Sequence, residues 1–593
     1  MLRFDVFELD VRVCELRKHG VKLRLQGQPL QVLATLLKHA GDLVTREQLR
    51  AQIWKADTFV DFDHSLHNAI ARLREVLGDS AESPRYIETL PRRGYRFMGR
   101  VDEVEPDDLL PPSLRRSRAP GSRGIQAVAV LPLEDLSGDP GHAYFADGMT
   151  EVLITNLAKI KALRVISRTS AMQYKGVRKS LPQIARELNV DAVIEGSVLR
   201  SGDRVRITAQ LIHAISDRHL WAESYERDLR DILSLQSEIA RQIASEVEII
   251  LTPEERARLG NKPQVNPEAH ELYLKARYSW NKRTEESVKR ALSYLRRAIV
   301  CDPTYAQGHA GLADAYLILG YYNTLSPVEA YPKAKAAALK ALELYDSLAE
   351  PHATLGVVRR DFEWDWPGAE EEFRRAIELN PGLAQAYHWR GTLLSMLGMH
   401  AESLRDKTTA LAIDPLSVVI RTDLARMFYF SRDYDRSLEQ YRAALDMDPN
   451  FSSAHLWLAN VYEQKGQFED AISELQTGMR LSSDSSYALA KLGHGYAVAG
   501  KADEAHAVLH QLNTLSKQKY VSPYDIAVVH VGLEEDDEAF AWLDRAFEQR
   551  SLWLGYLKVE PQLDRLRADR RLQDLLRRVG LLNPTSAGGR LIH

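Results

Sequence analysis

One spacing constrains this chain more than any other. Asp346, Asn380, Asp414, Asp448 and Ser482 stand at intervals of 34, and Pro381, Pro415 and Pro449 each follow their marker. Eleven residues past the markers come Val357, Gly391, Ala425, Ala459 and Gly493, which are mostly small. Ala369, Ala471 and Ala505 follow by 12 more, while Ala376, Ala410 and Ala444 share a further register. Small residues at fixed register are what paired helices need where they cross. One such unit cannot bury its own apolar face, so neighbours must stack into a superhelix with a concave groove.

The pattern resembles the tetratricopeptide repeat. It extends from about 266 to 549, and seven or eight repeats are expected. An earlier unit ends at Asp302-Pro303, 44 residues before Asp346, so about ten extra residues fall around Tyr321 to Tyr331. The resemblance implies a groove that holds a protein or peptide partner; the bland alternative is an array that only scaffolds or dimerises. Tyr278, Tyr316, Tyr387, Tyr462 and Tyr496 recur near first-helix positions and read as packing between repeats. Residues 550–583 read as a C-terminal helical cap and 584–593 as a tail.

The other end of the chain carries chemistry. Leu66, Ile70, Leu73 and Leu77 recur at spacings of four, three and four, which is one face of a helix. Asp63 is placed to cap it, and Gly78 sits just past its end. The opposite face carries His67, Asn68, Ala71, Arg72 and Arg74. Asn pairs with adenine edges and Arg with guanine edges, and a small Ala lets a helix sit deep in the major groove. Tyr86-Ile87-Glu88-Thr89-Leu90 and Gly94-Tyr95-Arg96-Phe97 read as two strands around Pro91-Arg92-Arg93. Residues 85 to 100 hold five arginines against one acid, Glu88. For the helix alone, a solvated polar face is an equal reading. Helix and Arg-rich hairpin together favour duplex DNA, with the helix in the groove and the hairpin on the adjacent backbone or minor groove.

Residues 1 to 100 resemble the OmpR/PhoB-type winged-helix DNA-binding domain. FDVFELDVRVCELRKHGVKLRLQ reads as its opening antiparallel strands, Gln28-Pro29-Leu30 opens a first helix, and Thr45-Arg46-Glu47-Gln48-Leu49 opens a second that ends near Ile53-Trp54. Arg72-Leu73-Arg74 matches the family's RLR element, and Gly94-Tyr95-Arg96-Phe97 its closing GYRF. The resemblance implies that Arg72 reads a base, that Arg74 holds phosphate, and that Arg92 or Arg93 occupies the wing tip. Pro91-Arg92-Arg93 departs from the family's pattern there.

Residues 101 to 124 are rich in Pro, charge and small side chains and read as a linker. Residues 125 to 250 read as an α/β layer with helices on a mixed sheet: a strand at 127–133, a helix containing Leu153 and Leu157, a strand at 163–167, a helix at 181–188, three strand-like runs, and a helix from about Asp231 to Ile250. Val130-Leu131-Pro132-Leu133, Leu136-Ser137-Gly138-Asp139-Pro140, Tyr144-Phe145-Ala146-Asp147-Gly148, Glu195-Gly196-Ser197-Val198 and Leu220-Trp221-Ala222 resemble the TolB amino-terminal-like domain. That family implies assembly or signalling rather than a reaction.

At 593 residues the chain holds several cores. Its net charge is −4, yet the first 100 residues carry 17 basic against 13 acidic side chains, the local excess a DNA module needs. Two distant cysteines, Cys14 and Cys301, form no disulfide framework, and Asp5, Glu8 and Asp10 speak against a signal peptide, so a cytoplasmic protein without a membrane span is expected. No H-E-x-x-H, G-x-S-x-G, G-x-x-x-x-G-K-[ST] or Cys-His metal spacing occurs, so no enzyme activity, cofactor or metal is expected. The expected architecture is multidomain: an α+β winged helix, an α/β middle domain and an all-α repeat superhelix. Expected partners are promoter DNA read by a homodimer, RNA polymerase, and a protein or peptide in the groove. The rival is a repeat scaffold whose winged helix docks protein.

Overall fold

A computed structural model describes residues 2–10, 15–18, 21–22, 25, 28–53, 62–80, 84–90, 93–99, 101–103, 125–137, 143–260, 266–281, 285–482 and 485–582. It falls into two units, Met1–Leu109 and Leu110–His593, each described by itself.

The first unit opens with antiparallel β1 (Leu2–Phe4), β2 (Phe7–Asp10), β3 (Glu15–Lys18) and β4 (Val21–Lys22). Next come α1 (Gln28–Lys38), β5 (Leu43–Thr45), α2 (Arg46–Ile53), α3 (Phe62–Leu77), β6 (Ile87–Leu90), β7 (Gly94–Phe97) and β8 (Asp102–Glu103). β8 returns to pair with β1, giving the order β4-β3-β2-β1-β8, while β5-β7-β6 form a second sheet. Thr45 and Gln48 cap α2 reciprocally: the Gln48 side chain accepts from the Thr45 amide at 2.8 Å, and the Thr45 hydroxyl accepts from the Gln48 amide at 3.2 Å. Leu66, Ile70, Leu73 and Leu77 of α3 pack with α1 and with Phe4, Phe7, Tyr86, Tyr95 and Phe97 in one core. α3 begins at Phe62, so Asp63 lies inside its first turn instead of capping it.

The second unit begins with β9 (Ala127–Val130), β10 (Glu134–Asp135), α4 (Ala143–Leu157), β11 (Arg164–Val165), α5 (Arg168–Ala171), α6 (Leu181–Leu188), β12 (Ala192–Ser201), β13 (Arg204–His213), β14 (Arg218–Asp228), α7 (Ile232–Glu246) and α8 (Pro253–Arg258). The sheet is mixed. β9 runs parallel to β11 and β12, and β12-β13-β14 form an antiparallel meander. Gly202, at φ +59°, makes the two-residue turn between β12 and β13. The helix expected to reach Ile250 stops at Glu246, and Thr252 and Glu255 then cap α8.

Eight helix pairs follow among the described residues: α9 (Pro267–Trp280) with α10 (Glu285–Cys301), α11 (Ala306–Tyr321) with α12 (Pro327–Leu344), α13 (Ala349–Val358) with α14 (Trp366–Leu379), α15 (Ala384–Met396) with α16 (His400–Ile413), α17 (Val418–Phe430) with α18 (Tyr434–Met447), α19 (Ser452–Gln464) with α20 (Phe468–Leu481), α21 (Ser486–Val498) with α22 (Ala502–Leu515), and α23 (Pro523–Gly532) with α24 (Asp536–Glu548). The small residues lie where partners touch. The Ser403 hydroxyl donates to the Gly391 carbonyl at 2.7 Å, and Ser437 does the same to Ala425 at 2.8 Å. Tyr316 and Tyr462 accept from Arg296 and Arg442 of the preceding pair. The extra residues of the second pair mostly lengthen its helices, to 16 and 18 residues against 13 and 14 for α15 and α16.

The chain after α24 departs from the expected cap. It forms two short 3-10 turns, Leu552–Tyr556 and Pro561–Leu566, and then α25 (Arg570–Arg578). This segment runs along the face lined by the first helices of the pairs. Trp553 stacks on Tyr487 and packs on Trp457, at ring distances of 5.5 Å each, and Tyr556 stacks on Phe430 at 4.8 Å. Tyr429 donates to Glu560 at 2.9 Å, Gln562 donates to Glu463 at 3.0 Å, Arg565 to the Val531 carbonyl at 3.1 Å, and Trp366 to the Val579 carbonyl at 3.0 Å. Leu554, Leu557, Leu563 and Leu572 are fully buried. The groove expected to take a peptide partner is therefore filled from α15 to α23 by the chain's own aromatic and leucine side chains.

The α/β layer sits on the turns between pairs. Gly382 donates to the Ala158 carbonyl at 3.1 Å, Ser167 to that of Ile413 at 2.9 Å, and the Ser170 hydroxyl to Asp414 at 2.5 Å. The marker positions Asn380 and Asp414 of the 34-residue period thus lie at a docking seam. Among the described residues, no helix is long and apolar enough to cross a membrane, and no group of three or more His, Cys, Asp or Glu is placed to hold a metal ion.

Candidate nucleic-acid interface

Burial divides α3 cleanly. Leu66, Ala69, Ile70, Leu73 and Leu77 face the core, while His67, Asn68, Ala71 and Arg72 are exposed. These four stand at i, i+1, i+4 and i+5, so they share one face of the helix. Arg72 has no hydrogen bond or ion pair to a described residue, and its guanidinium is open to a ligand.

Arg74 has a different position. It is half-buried, and its Nη2 donates to the Ile87 carbonyl at 2.8 Å and to the Thr89 hydroxyl at 2.9 Å. The side chain expected to hold phosphate ties α3 to the first strand of the hairpin. Arg96 is also half-buried and faces Glu88, its cross-strand neighbour, at 3.5 Å. Arg93 stands exposed at the hairpin tip, where its amide closes the turn on the Leu90 carbonyl at 3.0 Å. Arg92, Pro91 and Trp54 lie outside the described residues.

Two positioning residues were not read from the sequence. Asp79, just past Gly78, accepts from the amides of Ser80 and Arg85 through Oδ1 and from those of Tyr86 and Ile87 through Oδ2, at 2.6–3.3 Å. One carboxylate so fixes the path from recognition helix to hairpin. Asp5, in the turn between β1 and β2, accepts from Arg85 at 2.6 Å and from the Tyr86 hydroxyl at 2.5 Å. Burial and the Asp5 carboxylate push the Tyr86 phenol up to about 12, so it stays a donor. The only signal in the sequence was an acid directly after the helix-ending Gly78, which also fits an ordinary turn.

The face formed by His67, Asn68, Ala71 and Arg72 offers hydrogen-bond donors and acceptors, and Arg93, on a hairpin packed on the same core, adds a cation. Such a set can read base edges and neutralise phosphate; it presents no nucleophile or acid–base pair.

Residues 20–97 match the family described as transcriptional regulatory protein, C terminal, and residues 422–485 match the tetratricopeptide repeat. The first match places an OmpR/PhoB-type winged helix in the first unit, and the second falls on α17 to α20 of the helical array, which is a tetratricopeptide-like superhelix. The chain is 36% identical over 249 residues to a putative adenylate cyclase 3 of Rhizobium meliloti, covering 42% of each chain. It is 25% identical over 417 residues to the transcriptional regulator HilA of Salmonella typhimurium, covering 70% of each. It is 36% identical over 83 residues to the cholera toxin transcriptional activator of Vibrio cholerae, covering 14% of this chain and 28% of that one. The chain spans less than half the length of the first of these relatives.

Proposed function

We propose that this chain is a sequence-specific, DNA-binding transcriptional regulator of the cytoplasm that takes signal or partner input through its middle domain and repeats. The observation that carries the reading is the exposed polar face of α3, with a second exposed cation, Arg93, at the hairpin tip. His67, Asn68, Ala71 and Arg72 meet base edges in the major groove, and Arg93, with Arg92 next to it, meets the adjacent backbone or minor groove. Arg74 and Arg96 hold the hairpin at the height this requires. Two copies read paired half-sites, since one winged helix spans few base pairs. RNA polymerase is the natural recipient of the output. Protein input falls on surfaces other than the filled inner face. The relatives named as transcriptional regulators support this reading; the cyclase name belongs to a protein matched over less than half its length.

Genomic footprinting of the tagged chain, followed by salt titration of binding to the recovered sites, tests it. Discrete sites are expected, with log affinity falling linearly against log salt. Absence of discrete sites and of salt-dependent binding would instead make the winged helix a protein-docking module.

A further inference from the structure

The seam between α4 and the first repeats encloses a cleft of about 950 Å³, its solvent-open mouth included. Glu151 and Asn156 of α4, His270 and Arg277 of α9, Asp314 of α11 and Glu350 of α13 line it.

Most of the charges already within it are paired with one another. Glu151 accepts from Arg277 Nε at 2.7 Å and faces Arg168 at 3.1 Å. Burial alone would raise its carboxyl, but the two guanidiniums hold it below the usual range. Asp314 accepts from the Thr354 hydroxyl at 2.6 Å and faces Arg277 at 3.8 Å. A ligand of large net charge would upset this balance, and an apolar one would cover polar groups without bonding them.

Other groups lack a counterpart. Asn156 and His270 are each 1% exposed, yet Asn156 Nδ2 and His270 Nε2 have no hydrogen-bond partner. The other polar atoms of both side chains are engaged, Asn156 Oδ1 by Lys159 at 3.2 Å and His270 Nδ1 by the Tyr305 hydroxyl at 2.9 Å. An unpaired buried donor or acceptor costs about 1–3 kcal/mol, so a native site that keeps two such atoms is arranged around something that bonds them. α11 and α13 also open onto the cleft, at Tyr305 and Leu348, and neither N-cap side chain makes a capping bond. First-turn amides favour an anionic oxygen. Beside these groups stands a carboxylate with no mate among the described residues, the half-buried Glu350 in the first turn of α13.

Unpaired polar groups and helix N-termini beside a single unpaired acid match a molecule that carries both signs. We propose that this cleft binds a small zwitterionic metabolite of amino-acid type, with its carboxylate toward Asn156 and the helix N-termini and its ammonium toward Glu350. The site touches the α/β layer and three helix pairs at once, so its ligand tightens the seam on which they dock. This goes beyond the DNA-binding reading and does not depend on it.

The test uses the full chain without DNA. Thermal unfolding is followed with each common L-amino acid, and any that shift the transition are titrated by calorimetry. Saturable binding of at least one is expected. Asn156→Leu and Glu350→Gln should each weaken it by about tenfold or more while leaving the ligand-free melting temperature near that of the parent; tenfold corresponds to about 1.4 kcal/mol. The proposal is overturned if no amino acid binds saturably, if the Glu350→Gln chain binds as tightly as the parent, or if acetate binds as well as the amino acid. Loss of DNA binding with amino-acid binding intact would remove the regulator reading and leave the site standing.

Discussion

Arg72 and Arg74 stand two residues apart on one helix, the first exposed and the second tied to the hairpin. Arg72 is free for a base, so Arg72→Ala should weaken specific binding by about 1–3 kcal/mol and relax the preference at one position. Competition between the selected site and its single-base variants measures both, and an unchanged preference profile would remove Arg72 from the reading set. Asp525, on α23, supports a prediction about pH. It is buried beside Lys491, and burial pushes its carboxyl up to about 7 against the opposing pull of that lysine. A folded-state value above the unfolded one, near 3.9, means that the native state binds more protons between roughly pH 4 and 7. Asp525 therefore adds stability at low pH that is lost as pH rises through about 7. Asp525→Asn should flatten that part of the stability profile, read by denaturant titration at a series of pH values. At this scale the sequence was legible where geometry is local: the 3.6-residue period separated exposed Arg72 from buried Leu73. It placed Arg74 on the exposed face and left unread its tie to Thr89, 15 residues away, and it was silent on Asp79, whose four accepted bonds exist only after the chain has turned.

Gly94 governs an element. It pairs with Thr45 where β7 meets β5, and a Cβ there would lie 2.1 Å from the Val44 carbonyl oxygen. Backbone cannot yield as a flexible side chain does, so Gly94→Ala should push β5 and β7 apart and destabilise the first unit by at least about 1–3 kcal/mol. A melt of the isolated transition should show it, and DNA affinity should fall in parallel; a wild-type melt would mean that the strands separate without cost. The helix pairs were readable because repetition multiplies a weak signal: small residues at Gly391, Ala425, Ala459 and Gly493 mark the same crossing four times. Residues 551–582 were readable only as a helical cap: α25 shows itself through Leu572, Leu575 and Leu576, but the two 3-10 turns before it have no repeat and no sustained period. Trp553, Tyr556 and Leu563 acquire meaning only beside Trp457, Phe430 and the other side chains they cover.

Repeat arrays ordinarily behave as one-dimensional stacks in which each unit answers only to its neighbours. Here two features oppose that. The C-terminal segment crosses the first helices from α15 to α23, and the α/β layer grips the turns after α14 and α16. Ending the chain after Arg550 should therefore loosen the whole inner face rather than fray the last pair. Hydrogen exchange should speed up in α15, α17, α19 and α21 together; acceleration confined to α23 and α24 would show that the stack behaves as independent units after all.

That same segment is translated after every helix pair it stabilises. A nascent chain thus carries its repeats for a time as a bare channel lined by Trp366, Phe430, Trp457 and Tyr487, the kind of apolar surface that chaperones hold and proteases recognise. The winged helix, with its own core, is complete long before. A ribosome that stops early would release a fragment able to seize an operator but with an exposed channel behind it. Clearance of that fragment by proteolysis would keep premature products from competing on DNA with the finished chain.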